Sequence, residues 1–151
     1  MMTRRDLVVA TFAASATIAA VTWAQSPGPP LLRSSCFNWD EIEASATPTG
    51  AKREVFRERT ATLDQLAVHV TTVNAGERAH DPHRHWEEEL IIVKEGTVES
   101  MQNGEMTRLG PGSIVFEASN ELHGLKNVGS APASYYVIKW FPPGTLASAN
   151  E

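Results

Sequence analysis

From residue 52 onward, apolar and polar positions alternate over short stretches separated by turn signals, and the three-to-four spacing of an amphipathic helix is not sustained. Seven runs read as strands: 53–57, 66–73, 90–94, 97–102, 106–109, 114–117 and 135–141. Between them stand Asn74-Ala75-Gly76, Glu95-Gly96, Asn103-Gly104, Gly110-Pro111-Gly112 and the stretch 127–130, all rich in residues that turn a chain. Asn103-Gly104 between two alternating runs is the strongest hairpin signal of the set. Strands at this spacing predict an all-β sandwich or barrel. Alternation along 66–73 puts Leu66, Val68, Val70 and Thr72 on one face and Ala67, His69, Thr71 and Val73 on the other. On the last run the inward set is either Tyr136-Ile138-Trp140 or Tyr135-Val137-Lys139. Ahead of the strands, 37–42 is expected to form one helical turn capped by Asn38, and Pro48-Thr49-Gly50 breaks the chain.

The first 24 residues read differently. Arg4 and Arg5 precede an apolar run rich in Ala, Val and Thr, and Thr22-Trp23-Ala24 offers a cleavage site, the layout of a signal peptide. Thr3-Arg4-Arg5-Asp6-Leu7-Val8 resembles the twin-arginine export signal, which implies export in the folded state and a periplasmic location. At about 15 residues the apolar run falls short of the ~20 that span a bilayer, so no stable membrane anchor is expected. Residues 25–36, with Pro27-Gly28-Pro29-Pro30, read as a linker, and 37–145 as the folding domain, with its barrel core at about 53–140.

Composition narrows the chemistry. The 151 residues carry 13 basic and 18 acidic side chains, a net charge of −5, with no cluster of Lys and Arg to track phosphates, so nucleic acid is not an expected partner. One cysteine, Cys36, excludes an intrachain disulfide and a cysteine-based zinc cluster, which leaves His and carboxylate as metal ligands. Cys36 lacks the setting of a lipoprotein cysteine, because the apolar run ends a dozen positions earlier. There is no Gly-x-Ser-x-Gly, no P-loop and no Cys beside a His.

Five histidines remain: His69, His80, His83, His85 and His123. In His83-Arg84-His85 two imidazoles share one face of an extended chain and can reach one ion, and Glu89 adds a carboxylate at the entry to an apolar strand. A fourth ligand has to come from elsewhere in the chain.

Gly76, His83-x-His85, Glu89 and Gly96 resemble the first motif of the cupin superfamily, with one extra residue between Gly76 and His83. Gly112, His123 and Asn127 stand at the separations of the second motif, while Ala118 and Asn120 occupy its Pro and Gly positions. Asn tolerates the positive φ that the Gly would supply. The resemblance implies a single jelly-roll-like β-barrel that binds one divalent metal through His83, His85, Glu89 and His123. Three imidazoles and one carboxylate leave open octahedral positions, which favours Mn²⁺ or Fe²⁺, with Zn²⁺ as the tetrahedral alternative. Metallation in the cytoplasm before folded export would favour Mn²⁺ or Fe²⁺ as well.

Around this site, Ile91 and Val93 share the parity of Glu89 and should line an apolar wall. His69 reads as partly buried, His80 as a solvated loop residue, Glu87 and Glu88 as a solvated acidic rim, and Phe116 and Met101 as core. Two functions of different class fit. One is a metalloenzyme of dioxygenase or oxidase, isomerase, or lyase type acting on a small organic acid or carbonyl compound. The other is a non-catalytic module that captures a small molecule or sugar. An inward Tyr, His or Glu beside the metal would favour the enzyme, and an all-apolar cavity binding or O₂ chemistry. The segment 37–57 is apolar enough to lie across a neighbouring sheet edge, so a homodimer is expected.

Overall fold

The computed structural model describes residues 30–146. The expected signal peptide and the first part of the linker therefore lie outside the described residues. Nine strands follow a short 3-10 helix, Trp39–Glu41, whose N-cap is Asn38 as expected. They are β1 (Ser45–Thr47), β2 (Gly50–Glu58), β3 (Gln65–Val73), β4 (Glu88–Glu95), β5 (Val98–Gln102), β6 (Glu105–Leu109), β7 (Ile114–Glu117), β8 (His123–Asn127) and β9 (Ala133–Phe141). A six-stranded sheet runs in the order β1-β2-β3-β9-β4-β7, and a three-stranded sheet in the order β6-β5-β8. Each strand pairing between neighbours in the two sheets is antiparallel. The all-β expectation holds. No helix among the described residues is long and apolar enough to cross a membrane.

The hairpin at Asn103-Gly104 forms as its sequence demands. Gln102 pairs with Glu105 across a two-residue loop in which Asn103 has φ 50° and Gly104 φ 95°, the double positive φ that matches the twist of the flanking strands. Gly96, in the turn between β4 and β5, has φ 85° and an added Cβ would lie 2.7 Å from the Ala133 backbone, so a side chain there is excluded twice over. β1 and β8 are additions to the seven runs read from sequence.

Register divides the inward face of the large sheet into tiers. One tier joins Lys52, Thr71, Tyr135 and Val93, the next Glu54, His69, Val137, Ile91 and Val115, and the third Arg57, Ala67, Lys139, Glu89 and Glu117. A β-bulge between Glu54 and Phe56 absorbs one residue, which turns Arg57 onto the face shared by Lys52 and Glu54. The apolar core gathers Val73, Val93, Val98, Ala133 and Tyr135 toward the first tier. The third tier is charged at every position but Ala67.

Two core expectations fail. Phe116 is 52% exposed, and Met101 lies half-buried on the outer face of the small sheet. On β7 the inward positions belong to Val115 and Glu117, so Phe116 faces outward and stacks on Trp140 with ring centroids 6.3 Å apart. On β5 the inward positions are Val98 and Ser100, which turns Met101 out.

Candidate metal centre

His83 and His85 stand on the loop leading into β4, and His123 opens β8. The backbones of the two motifs are tied directly: His83 N–H donates to the His123 carbonyl at 3.0 Å and His123 N–H to the His83 carbonyl at 3.1 Å. Asn120, at the motif's Gly position, takes φ 59° as expected and donates its N–H to the His85 carbonyl at 2.8 Å. Asn127 anchors the far end of β8, its Nδ2 donating to the carbonyls of Val73, Asn74 and Ala131.

These constraints bring three imidazoles into one cluster, with ring centroids of His83, His85 and His123 4.6–5.2 Å apart. One ring nitrogen of each lies within 4.8 Å of the others. Each Nδ1 faces a backbone carbonyl: Asp81 for His83 at 3.1 Å, Glu87 for His85 at 2.8 Å, and Glu121 for His123 at 2.9 Å. A carbonyl only accepts, so each Nδ1 carries the proton and each Nε2 is left with its lone pair. That is the arrangement by which a protein presents neutral imidazole to a metal.

The carboxylates form a second, overlapping group of His85, Glu89 and Glu117 with ligand atoms again within 4.8 Å. The four residues expected as metal ligands are thus gathered at one end of the barrel, joined through His85, and Glu117 stands among them. His123 Nε2 and Glu117 Oε1 are buried without a hydrogen-bond partner among the described residues. Buried polar atoms left so are rare and call for a partner. The donor set, nitrogen lone pairs beside carboxylate oxygen, suits a divalent transition metal.

Lys139 answers which face of the last strand lines the cavity: Tyr135, Val137 and Lys139 point inward. Its ammonium contacts Glu89 at 2.8 Å and Glu87 at 3.1 Å, and donates to His85 Nε2 at 3.3 Å. Glu87 and Glu88 are accordingly no solvated rim. Glu87 is held by Lys139, and Glu88 accepts a 3.0 Å bond from the Trp140 indole. His80 is exposed, as expected, and meets the His83 ring edge-on at 4.6 Å.

Burial and charge set the protonation states. Burial alone would raise the Glu89 pKa, but the neighbouring His85 imidazole and the Lys139 ammonium outweigh it and hold the carboxyl at about 2. Glu117 is pushed up to about 7 by burial and by the Glu89 charge opposite it. Burial lowers His123, helped by the charge of His85, and lowers His69 to about 4, helped by Lys52. Lys139 is raised despite its burial, because Glu89 and Glu87 face it.

A cavity of about 330 Å³ opens from this cluster along the inward face of the large sheet. Ile91 and Val137 form its apolar wall, while Lys52, Arg57 and His69 stand along the side of β2 and β3. Val93, also expected in the wall, sits below it in the core. Sequence reasoning missed Glu117, Lys52 and Arg57. Parity with Val115 pointed to Glu117, but both faces of β7 carry apolar residues, and the bulge that turns Arg57 inward has no signal in sequence.

The Cupin domain family matches residues 69–139. Among solved structures, KdgF from Halomonas sp. superposes with a TM-score of 0.60 at 20% identity, covering 71% of this chain and 94% of that one. The polyketide cyclase RemF from Streptomyces resistomycificus gives 0.58 at 17% identity, with 74% and 82% covered. A predicted oxalate decarboxylase from Thermotoga maritima gives 0.57 at 16%, with 71% and 99% covered. No curated protein matches in sequence. The protein has the fold of the cupin superfamily, and the stretch that matches the Cupin domain is the one that carries His83, His85, Glu89 and His123.

Proposed function

We propose that the protein is a metal-dependent enzyme acting on a small organic acid or carbonyl compound, with one divalent ion, Mn²⁺ or Fe²⁺ in preference to Zn²⁺, held by His83, His85, Glu89 and His123. The observation that carries the reading is the common Nδ1-to-carbonyl fixation of all three imidazoles, which leaves three Nε2 lone pairs converging beside buried carboxylate. When bound, the ion supplies Lewis acidity toward a carboxylate or carbonyl oxygen.

The cavity favours catalysis over passive capture. Its lining includes an imidazole and an ammonium, His69 and Lys139, the kinds of side chain that move protons. Lys52 and Arg57, both beside Glu54, and Lys139, held by Glu89 and Glu87, form the polar side of the wall, and Ile91 and Val137 the apolar side suited to a small ligand's carbon frame. One fold hosts many reactions, so the choice among oxidation, isomerisation and lyase chemistry belongs to these wall residues.

The export signal resemblance supports a periplasmic location with the signal peptide removed after Ala24. A homodimer is supported by the three exposed residues of edge strand β1 and by Phe37, 44% exposed where it stacks on Phe56. Light scattering of the purified protein reads the oligomeric state.

The test of function is elemental analysis of the exported protein, followed by an O₂-uptake and product screen with small organic acids. The double variant His83→Ala/His123→Ala should keep a folded but less stable barrel and lose the metal. Full metal occupancy in that variant would overturn the ligand assignment. Full copper or zinc occupancy in the parent protein without turnover would favour the non-catalytic binding reading.

A further inference from the structure

Glu89 and Glu117 face each other directly across β4 and β7, and both are buried, at 6% and 2% exposure. Like charges so placed destabilise a sheet unless a cation lies between or beside them. Glu89 has such a cation in Lys139, 2.8 Å away. Glu117 has none among the described residues. Its polar neighbours are the Gln102 side chain and His123 Nε2, the latter 3.3 Å from Oε2, and because the His123 proton is committed on Nδ1 to the Glu121 carbonyl, Nε2 offers a lone pair. An ionised Glu117 faces that nitrogen acceptor to acceptor, and Glu117 Oε1 and His123 Nε2 both lack a hydrogen-bond partner.

Charge balance points the same way. With Glu117 ionised, Glu87, Glu89 and Glu117 against Lys139 leave two negative charges in the cluster, the charge that a divalent cation neutralises. The two overlapping triads, His83-His85-His123 and His85-Glu89-Glu117, keep their ligand atoms within 4.8 Å. Two ligands of one ion stand no more than about 4–4.5 Å apart, twice the metal–ligand distance, so small side-chain adjustments suffice.

We propose that Glu117 is a fifth protein ligand of the ion held by His83, His85, Glu89 and His123. The inference rests on the metal-site reading above and extends it. Three imidazoles and two carboxylates form a harder, higher-coordinate set than zinc's usual tetrahedron, so Glu117 biases the site toward Mn²⁺ or Fe²⁺ and leaves one octahedral position for a substrate oxygen.

The test is titration of the chelator-stripped full protein with MnCl₂ and, separately, ZnCl₂, for the parent, Glu117→Gln and His123→Ala. Glu117→Gln should weaken Mn²⁺ binding about tenfold or more and Zn²⁺ binding less. The bound Mn²⁺ should also relax water protons faster, since a solvent position opens. Metal-free Glu117→Gln should melt no lower than the metal-free parent, because the amide can donate to His123 Nε2. Mn²⁺ affinity of Glu117→Gln within about threefold of the parent, with His123→Ala losing the metal, overturns the role of Glu117 and leaves the metal site standing. Parent-like affinity in His123→Ala overturns both. Should Glu117→Gln fail to show a cooperative melt, Glu117→Asp replaces it, with the same loss of Mn²⁺ over Zn²⁺ expected and an unchanged affinity ratio counting against the proposal.

Discussion

Replacing Lys139 by Met removes the ammonium that faces Glu89 at 2.8 Å and Glu87 at 3.1 Å while keeping most of the side chain's length. At an effective dielectric constant of about 20, each pair attracts by roughly 5–6 kcal/mol before desolvation is subtracted. The three side chains are 18%, 9% and 14% exposed, so solvent screens them only in part. Breaking a pair this buried costs about 3–5 kcal/mol, because the carboxylates lose their counter-charge. For a domain whose whole stability is about 5–15 kcal/mol, that lowers the melting temperature of the metal-free protein by about 10–20 °C. Lys139 also donates to His85 Nε2 at 3.3 Å, the atom a metal needs. An ammonium and a dication there compete, so Lys139→Met should bind Mn²⁺ about tenfold more tightly, a gain of about 1.4 kcal/mol. The metal should then raise the variant's melting temperature by more than the parent's. Calorimetric melts of stripped and Mn²⁺-loaded protein at pH 8, where an unpaired carboxylate takes up a proton least readily, read both quantities. A metal-free variant melting within about 2 °C of the parent would refute the ion-pair argument, and weaker Mn²⁺ binding would refute the competition.

Asn127 is 0% exposed and holds the carbonyls of Val73, Asn74 and Ala131 together with the N–H of Gly129. Asn127→Ala strips those backbone groups of their partner and should cost about 3–5 kcal/mol in urea unfolding, with a loss under about 1 kcal/mol contradicting the hub role. His69, neutral in the fold, has its pKa lowered by burial and by Lys52 from 6.5 to about 4. The unfolded chain therefore takes up the proton first, and stability is complete above pH 6.5 and falls as the pH drops toward about 4. After allowance for partial solvent screening the loss is about 1–2 kcal/mol, and His69→Gln should flatten the stability–pH curve over that window. An unchanged slope would show that His69 is not the group that titrates.

Local chemistry made parts of this fold legible. Asn103-Gly104 declared its hairpin because few other residue pairs accept two successive positive φ values, and β3 and β9 were legible as the runs 66–73 and 135–141 within strands of nine residues each. β8 was not legible: His-Gly-Leu-Lys-Asn contains no β-branched residue, and its strand exists because β5 pairs with it and His83 pins its start. Ser45-Ala46-Thr47 was silent for a similar reason, since its pairing to β2 comes from the turn between them and not from an apolar face. The same distinction holds within the site. His83, His85, Glu89 and His123 were legible because ligand spacing is a local property of chain geometry.

Glu117 inverts the ordinary logic of a strand. On β7 the carboxylate is buried at 2% exposure while Phe116 and Ile114 stand outside at 52% and 62%, so a rule that sends apolar side chains inward misplaces all three. Such an inversion is unfavourable on burial alone and persists only where the interior offers the carboxylate something water does not. Among the described residues its polar neighbours are the Gln102 side chain and the lone pair of His123, and neither is a cation. The departure from pattern and the orphaned atoms therefore meet at one place: beside Glu117 the nearby cation is Lys139, and Glu89 and Glu87 already engage it.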